Sequence, residues 1–266
     1  MAVKQINNLL ALLEFFAKRQ SPATLADVTT HFDWPRSSAF NILTTLVETG
    51  YLFEPRARGG FYPSPRWSQV IGAISEAEPL PELLSRILQS LARSTGETVW
   101  VSAPSGLFAV FLEVIESKAP VRYAAEPGKR VPIHVTASGQ ALLAQMPPRD
   151  VEVLLNRAQF GCWGANAPRM IDEVYSEMAR AGSRGWFRSA SNYSPDLGGV
   201  ALPIALNDRT FSITVAGPLF RVADKADEHA AQLRAAIEEE LGAEYVAGML
   251  RNMAERVSAG KPVPGN

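Results

Sequence analysis

Residues 34–47 read WPRSSAFNILTTLV, and Gly50 follows shortly after them. Pro35 suits the first turn of a helix, because its fixed φ is already helical and its missing N–H is not needed there. Gly50 suits the end of a helix, since glycine readily adopts the left-handed conformation. The stretch therefore predicts a helix that begins near Pro35 and ends at about Thr49.

Two faces of this predicted helix differ in chemistry. The apolar face is expected to be buried and carries Phe40, Leu43, Leu46 and Val47. The other face carries short hydroxyl and amide side chains, where a helix that is only solvated would more often carry Lys and Glu pairs. Its members are Ser37, Asn41, Thr44 and Glu48, flanked by Arg36, Ser38 and Thr45. Short polar side chains let a helix approach base edges and phosphates closely, so this face indicates contact with a nucleic acid.

The segment before this helix predicts two further helices. Apolar residues recur at intervals of three and four between Lys4 and Lys18, which indicates one buried helical face. They are Ile6, Leu9, Leu10, Leu13, Phe16 and Ala17. Thr24 follows a Ser-Pro break in the pattern and is expected to cap a short second helix that ends near Phe32.

A hairpin is predicted after the third helix. Aromatic runs at residues 51–53 and 60–62 are separated by a turn segment that contains Arg56 and Arg58. Two helices, a tight turn, a third helix and a hairpin with a basic tip form a winged helix-turn-helix, which is a DNA-binding arrangement. The alternative is a plain three-helix unit whose arginines are simply solvated.

Composition narrows the remaining classes of protein. With 266 residues, 47% of them hydrophobic and 20% charged, the chain is expected to form two compact domains rather than a disordered segment. The single cysteine, Cys162, excludes an intramolecular disulfide and a multi-cysteine metal site, and the three histidines lie far apart, so we expect no metal and no cofactor. A net charge of −1 argues against a protein that coats nucleic acids by charge alone.

No apolar run is long enough for a membrane span or a signal peptide, which predicts a cytoplasmic protein with no membrane partner.

The rest of the chain combines helices and strands. A short amphipathic helix is predicted between the two domains by Trp67, Val70, Ile71 and Ile74. Apolar spacing over residues 82–91 predicts the helix that opens the second domain. Residues 98–103 and 107–116 predict two strands of a hairpin, residues 121–124 a third strand, and residues 170–182 a further helix.

Two sequence signatures resemble one protein family. Residues 34–47 resemble the recognition helix of IclR-type bacterial transcription regulators, with Arg36 at the position of its lysine. Residues 132–144, PIHVTASGQALLA, resemble the signature of that family's second domain, with Gln140 in place of a lysine. Residues 199–204 and 211–221 resemble later strands of the same domain. Asn41 replaces the arginine common in the family, and pairing of this asparagine with an adenine edge is a hypothesis for its role.

The resemblance implies an α/β (α+β) fold, with an N-terminal winged helix-turn-helix and a C-terminal GAF-like effector-binding domain. It implies a DNA-binding transcriptional regulator, not an enzyme, whose partners are double-stranded operator DNA, a small organic effector and further copies of the chain, as a homodimer or a dimer of dimers. The effector is expected to be an aromatic or other small carboxylic compound of a catabolic pathway. The expected segments are residues 1–63 for DNA binding, 64–80 for the linker helix, 81–257 for effector binding and oligomerisation, and 258–266 for a flexible tail.

The candidate site residues form two groups. The expected DNA contacts are Thr24, Arg36, Ser37, Ser38, Asn41, Thr44, Thr45, Arg56 and Arg58. The expected effector pocket combines aromatic residues on strands, hydroxyls at a helix N-terminus, which favours an anion, and wall positions implied by the resemblance. Its members are Trp100, Phe111, His134, Ala137, Ser138, Asn192, Val200, Leu202, Thr214 and Ala216. The aromatic members also suit simple core positions.

Two other functions stay open at this point. One is an enzyme that acts on a small acid and uses the first domain only for dimerisation, although no catalytic pair stands at a recognisable spacing. The other is a ligand-dependent scaffold that has no role at DNA. Replacement of Arg36 and Asn41 with alanine separates the scaffold from the regulator, because only the regulator would lose its operator.

Overall fold

The computed structural model describes residues 3–55, 59–77 and 79–259. The chain divides into two compact units, Met1–Leu80 and Pro81–Asn266. Within the described ranges, no helix has both the length and the apolar character needed to cross a bilayer.

The first unit contains four helices and a two-stranded hairpin in its described part. They are α1 (Lys4–Arg19), α2 (Leu25–Phe32), α3 (Arg36–Glu48), β1 (Leu52–Phe53), β2 (Tyr62–Pro63) and α4 (Arg66–Ala77). The two strands are antiparallel and pair Phe53 with Tyr62. This order confirms the winged helix-turn-helix prediction. The predicted third helix is confirmed to within a residue, because α3 follows Pro35 as its N-cap and Gly50 adopts a φ of 77° just after its end.

A capping box fixes the start of α2. The Thr24 hydroxyl accepts a hydrogen bond from the Asp27 backbone N–H at 3.1 Å, and the Asp27 carboxylate accepts one from the Thr24 backbone N–H at 2.8 Å. These two bonds satisfy donors that the first turn of a helix leaves free. A cap of this kind stabilises a helix by about 1 kcal/mol, which gives the short α2 a defined first turn.

The core of the first unit differs in two places from the sequence prediction. Its buried side chains are Leu12, Phe15, Phe16, Ala23, Val28, Ala39, Leu43, Leu46 and Leu52. On α1, Ile6, Leu10 and Ala17 were expected inside, but all three are exposed, Ile6 and Leu10 by more than half. On α3, Phe40 was expected inside and is 53% exposed, because the small Ala39 takes the inward position beside Leu43.

Helix α4 has an unusual surface. None of its residues from Arg66 to Ala77 is buried. Trp67 attaches its first turn to the hairpin, since the indole Nε1 donates to the Tyr51 carbonyl at 2.9 Å. Ile71 and Ile74, one turn apart, are 55% and 65% exposed. The amphipathic pattern of this segment therefore leaves an uncovered apolar stripe, which we call the α4 stripe.

The second unit is a six-stranded sheet covered by helices. Its elements are α5 (Glu82–Thr95), β3 (Thr98–Ser105), β4 (Phe108–Ile115), β5 (Arg130–Pro132), α6 (Ala137–Leu143), α7 (Pro148–Leu155), α8 (Ile171–Arg184), β6 (Phe187–Ala190), β7 (Leu197–Leu206), β8 (Arg209–Pro218), α9 (Leu219–Val222), α10 (Ala226–Leu241) and α11 (Ala243–Ala259). The strand order is β5-β4-β3-β8-β7-β6, and every neighbouring pair is antiparallel.

Two helical layers bury the two faces of this sheet. Helices α5 and α10 contact each other and the central strands on one face. Helix α6 contacts strands β3, β4, β6, β7 and β8, and it shares a core cluster with residues of α8 and α11 on the other face. Because successive side chains of a strand point to opposite faces, each central strand contributes alternate residues to the two layers. The α/β (α+β) prediction for this unit is confirmed.

Two boundaries of the second unit correct the sequence prediction. Residues 121–124 form no strand, and β5 lies at Arg130–Pro132 instead. Side chains hold the loop before β5, since Thr98 Oγ1 donates to the Tyr123 carbonyl at 2.7 Å and Arg221 donates to the Val121 carbonyl at 3.0 Å. Helix α11 continues through Ala259, two residues into the segment expected to be a tail, and residues 260–266 lie outside the described part.

Candidate DNA-binding surface and ligand cavity

The outward side of α3 carries most of the expected DNA contacts. Arg36, Ser37, Ser38, Asn41 and Thr45 are exposed, and Thr44 is half-buried. The inward side is anchored by the buried side chains named above, so this polar surface belongs to a firmly packed helix. We call these six residues together with Phe40 the α3 surface.

Two of the expected DNA contacts are also engaged within the protein. The Thr45 hydroxyl donates to the Asn41 carbonyl at 2.7 Å, so its proton is committed to the helix. The Thr24 hydroxyl serves the α2 cap, and the backbone N–H of Thr24 holds the pKa of the Asp27 carboxyl below its ordinary value. The main role of Thr24 in this structure is therefore to cap α2. Arg56 and Arg58, at the expected basic tip, lie outside the described residues.

A small cavity lies in the second unit between the sheet and the beginning of α6. It is bordered by β3, β4, β5, β6, β7 and β8, and by two tyrosines from loops. Its lining residues are Trp100, Phe111, Tyr123, Val131, Thr136, Ala137, Ser138, Ser189, Tyr193, Leu197, Gly198, Gly199, Thr214 and Ala216. The Trp100 and Phe111 rings stack at 4.5 Å between centroids, with 24° between their planes. The free volume is about 30 Å³, room for about two water molecules at most.

The polarity of this cavity comes from neutral groups. No charged side chain is among the described residues that line it. Trp100 Nε1 and Thr214 Oγ1 are buried, and neither has a hydrogen-bond partner in the described part of the chain. Trp100 and Thr214 are directly paired across β3 and β8, so their side chains share one face of the sheet. Burial raises the pKa of Tyr123 to about 12, which keeps its phenol neutral.

The first turn of α6 brings two hydroxyls to the cavity. Thr136 Oγ1 accepts from the Gly139 backbone N–H at 3.1 Å and lies 3.2 Å from Ser138 Oγ. Gly139 lies against the preceding segment so closely that an added Cβ would stand 2.2 Å from the Ile133 carbonyl oxygen. The absence of a side chain at Gly139 therefore allows this turn to reach its position.

Six of the ten expected pocket residues line the cavity. They are Trp100, Phe111, Ala137, Ser138, Thr214 and Ala216. Val200 and Leu202 do not line the cavity. On β7, Gly199 pairs with Ala216 and Ala201 pairs with Thr214, so Gly199 and Ala201 lie on the cavity face. Val200 and Leu202 each follow one of these two residues and therefore point to the other face. The β7 positions implied by the resemblance are thus displaced by one residue, and a one-residue displacement moves a side chain to the opposite face.

Asn192 and His134 also lie outside the cavity lining. The Asn192 side-chain oxygen accepts from the Ala190 backbone N–H at 2.8 Å, so this amide shapes the turn after β6. The His134 ring packs edge-on against Phe160 at 4.8 Å, and burial lowers its pKa below the ordinary value. A neutral, packed imidazole suits a structural role.

Several lining residues were missed by the sequence reasoning. They are Tyr123, Val131, Ser189, Tyr193, Leu197, Gly198 and Gly199. Strand alternation from Ala216 through its partner would have identified Gly199. Tyr123 and Tyr193 lie in irregular segments with no periodicity, so the sequence carried no local signal for them. No group of His, Cys, Asp or Glu suitable for a metal occurs among residues 3–55, 59–77 and 79–259.

Comparison with known proteins follows the division into two units. The family model "IclR helix-turn-helix domain" matches residues 5–54, and "Bacterial transcriptional regulator IclR C-terminal" matches residues 73–241. The chain belongs to the IclR family. IclR proteins combine a DNA-binding domain with an effector-binding domain, and this chain is a transcriptional regulator of that type.

Individual IclR relatives are distant but cover most of the chain. The probable transcriptional regulator SauR of Cupriavidus necator is 28% identical over 200 residues, which span 74% of this chain and 78% of SauR. The Thermotoga maritima IclR crystal structure has a TM-score of 0.72 at 17% identity and covers 94% of this chain and 98% of its own. An IclR homolog from Microbacterium hydrocarbonoxydans, complexed with 4-hydroxybenzoate, has a TM-score of 0.66 at 19% identity and covers 96% and 100%. These structures establish the fold.

Proposed function

We propose that this IclR regulator binds an operator through the α3 surface and that a small oxygenated aromatic compound in the cavity controls its DNA affinity. The observation that carries the effector class is the pair of partnerless polar atoms, Trp100 Nε1 and Thr214 Oγ1, beside the stacked rings of Trp100 and Phe111. Buried polar atoms without a partner are costly, and a ligand oxygen would satisfy them. The aromatic walls favour a flat ring.

The neutral lining narrows the chemistry of the effector further. A carboxylate in this cavity would have no cation among the lining residues. It would rely on neutral donors, which are the Trp100 indole N–H and the hydroxyls of the lining Ser, Thr and Tyr residues. Phenols, neutral aromatic carbonyl compounds and monocarboxylates fit these donors better than di- or tricarboxylates do. The 4-hydroxybenzoate complex of the distant IclR homolog supports the aromatic class.

The small volume of the cavity suggests how ligand binding changes the protein. A cavity that holds benzene measures about 150 Å³, far more than the 30 Å³ found here. Tyr123 and Leu197 line both this cavity and a neighbouring open cleft of about 680 Å³. Movement of these two side chains would open the cavity toward the cleft. The ligand-bound conformation would then differ from the free one. An effector needs such a difference, because a ligand shifts a conformational equilibrium only by its differential affinity for the two states.

The test has two arms. A DNA library built from the sequences upstream of neighbouring genes is selected for binding to the full chain, and affinity is measured with and without phenols, benzoates and citrate. We expect nanomolar operator binding that changes only with aromatic ligands, which also raise the melting temperature. Recovery of the ligand unaltered is expected of a regulator. An equal response to citrate, or no preference over random DNA, would contradict the proposal.

Thr214→Val separates ligand binding from stability. Valine has the shape of threonine but lacks the hydroxyl, so the free protein loses a partnerless buried polar atom and is expected to be equally or more stable. The ligand loses a hydrogen bond, and its affinity is expected to fall about fivefold. Calorimetric titration and thermal unfolding measure the two effects. Thr210→Val is the matched control, because Thr210 lies on the same strand and does not line the cavity. Unchanged ligand affinity in Thr214→Val would exclude its role.

The α4 stripe supports self-association. Ile71 and Ile74 lie one turn apart on a helix with no buried side chain, so together they offer an apolar surface that a partner can cover. A second copy of the chain is the partner we propose, because two copies place two α3 surfaces on a symmetric operator. A dimer of dimers would extend the same arrangement.

Ile74→Glu is therefore expected to weaken the dimer by about tenfold or more, since a carboxylate would be buried in the interface. Analytical ultracentrifugation over a range of concentrations measures the change. Ser75→Glu adds the same charge to the neighbouring exposed position and serves as the control. If both variants dimerise as tightly as the parent chain, the α4 stripe is not the interface.

A further inference from the structure

Phe40 is an exposed aromatic residue in the middle of the α3 surface. It is 53% exposed, while Ala39 and Leu43 on the adjacent side of the helix are buried. Its position places it three residues after Ser37, one before Asn41 and four before Thr44. Residues three and four apart are neighbours on a helix, so Phe40 lies in one stripe with Ser37 and Thr44 and next to the stripe that carries Asn41.

The core of the first unit does not require a large ring at this position. Phe40 is not one of the buried residues that form this core. Phenylalanine is also a weaker helix former than alanine, by roughly half a kcal/mol. Half of its apolar surface stays in water at the place where every other exposed side chain of α3 is polar or charged. The exposed part of the ring is therefore free to contact a bound partner.

We infer that Phe40 reads a thymine by covering its C5-methyl group. This inference rests on the proposed insertion of the α3 surface into the major groove. Within that groove the thymine methyl is the only apolar group that a base edge presents, and apolar side chains recognise thymine through it. Phe40 lies in the N-terminal half of α3, the part of a recognition helix that contacts bases. Phe40 is thus a specificity residue for an A·T pair in each half-site.

The test uses the thymine methyl itself. Operators selected with the full chain are resynthesised with each thymine replaced in turn by deoxyuridine, which keeps the base pair and removes only the methyl. For the parent protein, one position per half-site is expected to weaken binding about fourfold, the equivalent of one buried methyl group, and both half-sites together about fifteenfold. Phe40→Ala is expected to bind the thymine operator more weakly than the parent protein does. It is also expected to bind the thymine operator and its deoxyuridine form with equal affinity.

Phe40→Gln provides a second variant that keeps side-chain length and loses the apolar surface. It is expected to lose the methyl dependence in the same way as Phe40→Ala. Thermal unfolding of both variants should match the parent chain, because the position is exposed and alanine and glutamine are good helix formers.

The outcomes separate two failures. If the parent protein binds its operator but ignores every deoxyuridine, or if Phe40→Ala retains the same methyl dependence, the inference about Phe40 is wrong while the proposed regulator stands. If no DNA sequence is selected over random DNA, the proposed function fails first. A loss of affinity in Phe40→Ala without loss of methyl dependence would place the ring against the sugar or backbone, which also overturns the inference.

Discussion

Gly139→Ala is expected to lower the free energy of unfolding of the second unit by about 3 kcal/mol or more. A Cβ at this position would lie 2.2 Å from the Ile133 carbonyl oxygen and 2.5 Å from the Ile133 Cα atom. Both are backbone atoms, so the neighbour cannot rotate away as a side chain would. Alanine would gain about 1 kcal/mol in helix propensity, but overpacking against a buried backbone costs more.

Thermal unfolding of the full chain measures this prediction. A loss of about 3 kcal/mol corresponds to a fall of roughly 10 °C in the melting temperature of a unit of this size. Gly248→Ala, on α11 of the same unit, is the matched control: the nearest atom to an added Cβ is the end of the Arg251 side chain at 3.9 Å. It is expected to be neutral or slightly stabilising. Equal melting temperatures for the two variants would contradict the account of Gly139.

The effect on ligand binding follows from the same geometry. Thr136 and Ser138 line the cavity from the turn that Gly139 holds against residues 132–133. Any displacement that accommodates a Cβ at Gly139 changes the position of these hydroxyls relative to Trp100 and Thr214. Where Gly139→Ala is folded, its ligand affinity is expected to fall as well. The close approach to Ile133 therefore explains why residues 132–144 carry a glycine at position 139, independently of the resemblance to the family signature.

The elements that the sequence predicted well are those with strong local signals. Helix α3 begins after Pro35 and ends before Gly50 because both residues have restricted or special backbone preferences. The capping role of Thr24 was likewise predicted from residue type alone. Two β-rich runs on either side of Pro104-Ser105-Gly106 predicted the first hairpin of the second unit, although Pro104 and Ser105 belong to β3 and the turn begins at Gly106.

Orientation was harder to predict than the existence of an element. Phe40 and Ala39 occupy adjacent positions, and the choice of which one points inward depends on how closely α3 approaches its neighbours, which is a tertiary property. The same difficulty arose on β7. Val200 and Leu202 were predicted to form the wall of the effector pocket, whereas Gly199 and Ala201 lie on the cavity face of the strand. All four positions are apolar or glycine, so hydropathy could not distinguish the two faces when both are buried.

Loops contributed the residues that sequence reasoning could not place. Tyr123 reaches the cavity because Thr98 and Arg221, distant in sequence, fix the carbonyls of the segment that carries it. Residues 121–124 resembled a strand through composition, yet their hydrogen bonds go to side chains rather than to a neighbouring strand. Long-range partners of this kind leave no trace in local periodicity.

Asn41→Ala is expected to weaken operator binding about 100-fold. Asn41 is exposed on the α3 surface, and an asparagine that pairs with adenine through two hydrogen bonds contributes about 1–3 kcal/mol of discrimination. A dimer uses the contact twice, so the losses combine across the two half-sites. Because the contact reads a base, the affinity for random DNA should change little.

Arg36→Ala gives the contrasting result that identifies the two roles. A guanidinium at the start of α3 is placed to contact phosphate, and its loss is expected to weaken specific and random DNA alike and to reduce the slope of log affinity against log salt by about 1 per subunit. Asn7→Ala, an exposed asparagine on α1, is the control for the amide itself. Unchanged operator affinity in both Asn41→Ala and Arg36→Ala would remove α3 from the DNA interface and favour the scaffold. A loss in Asn41→Ala that is equal for all sequences would keep α3 at the DNA but assign Asn41 to the backbone, since only a base contact makes the loss depend on sequence.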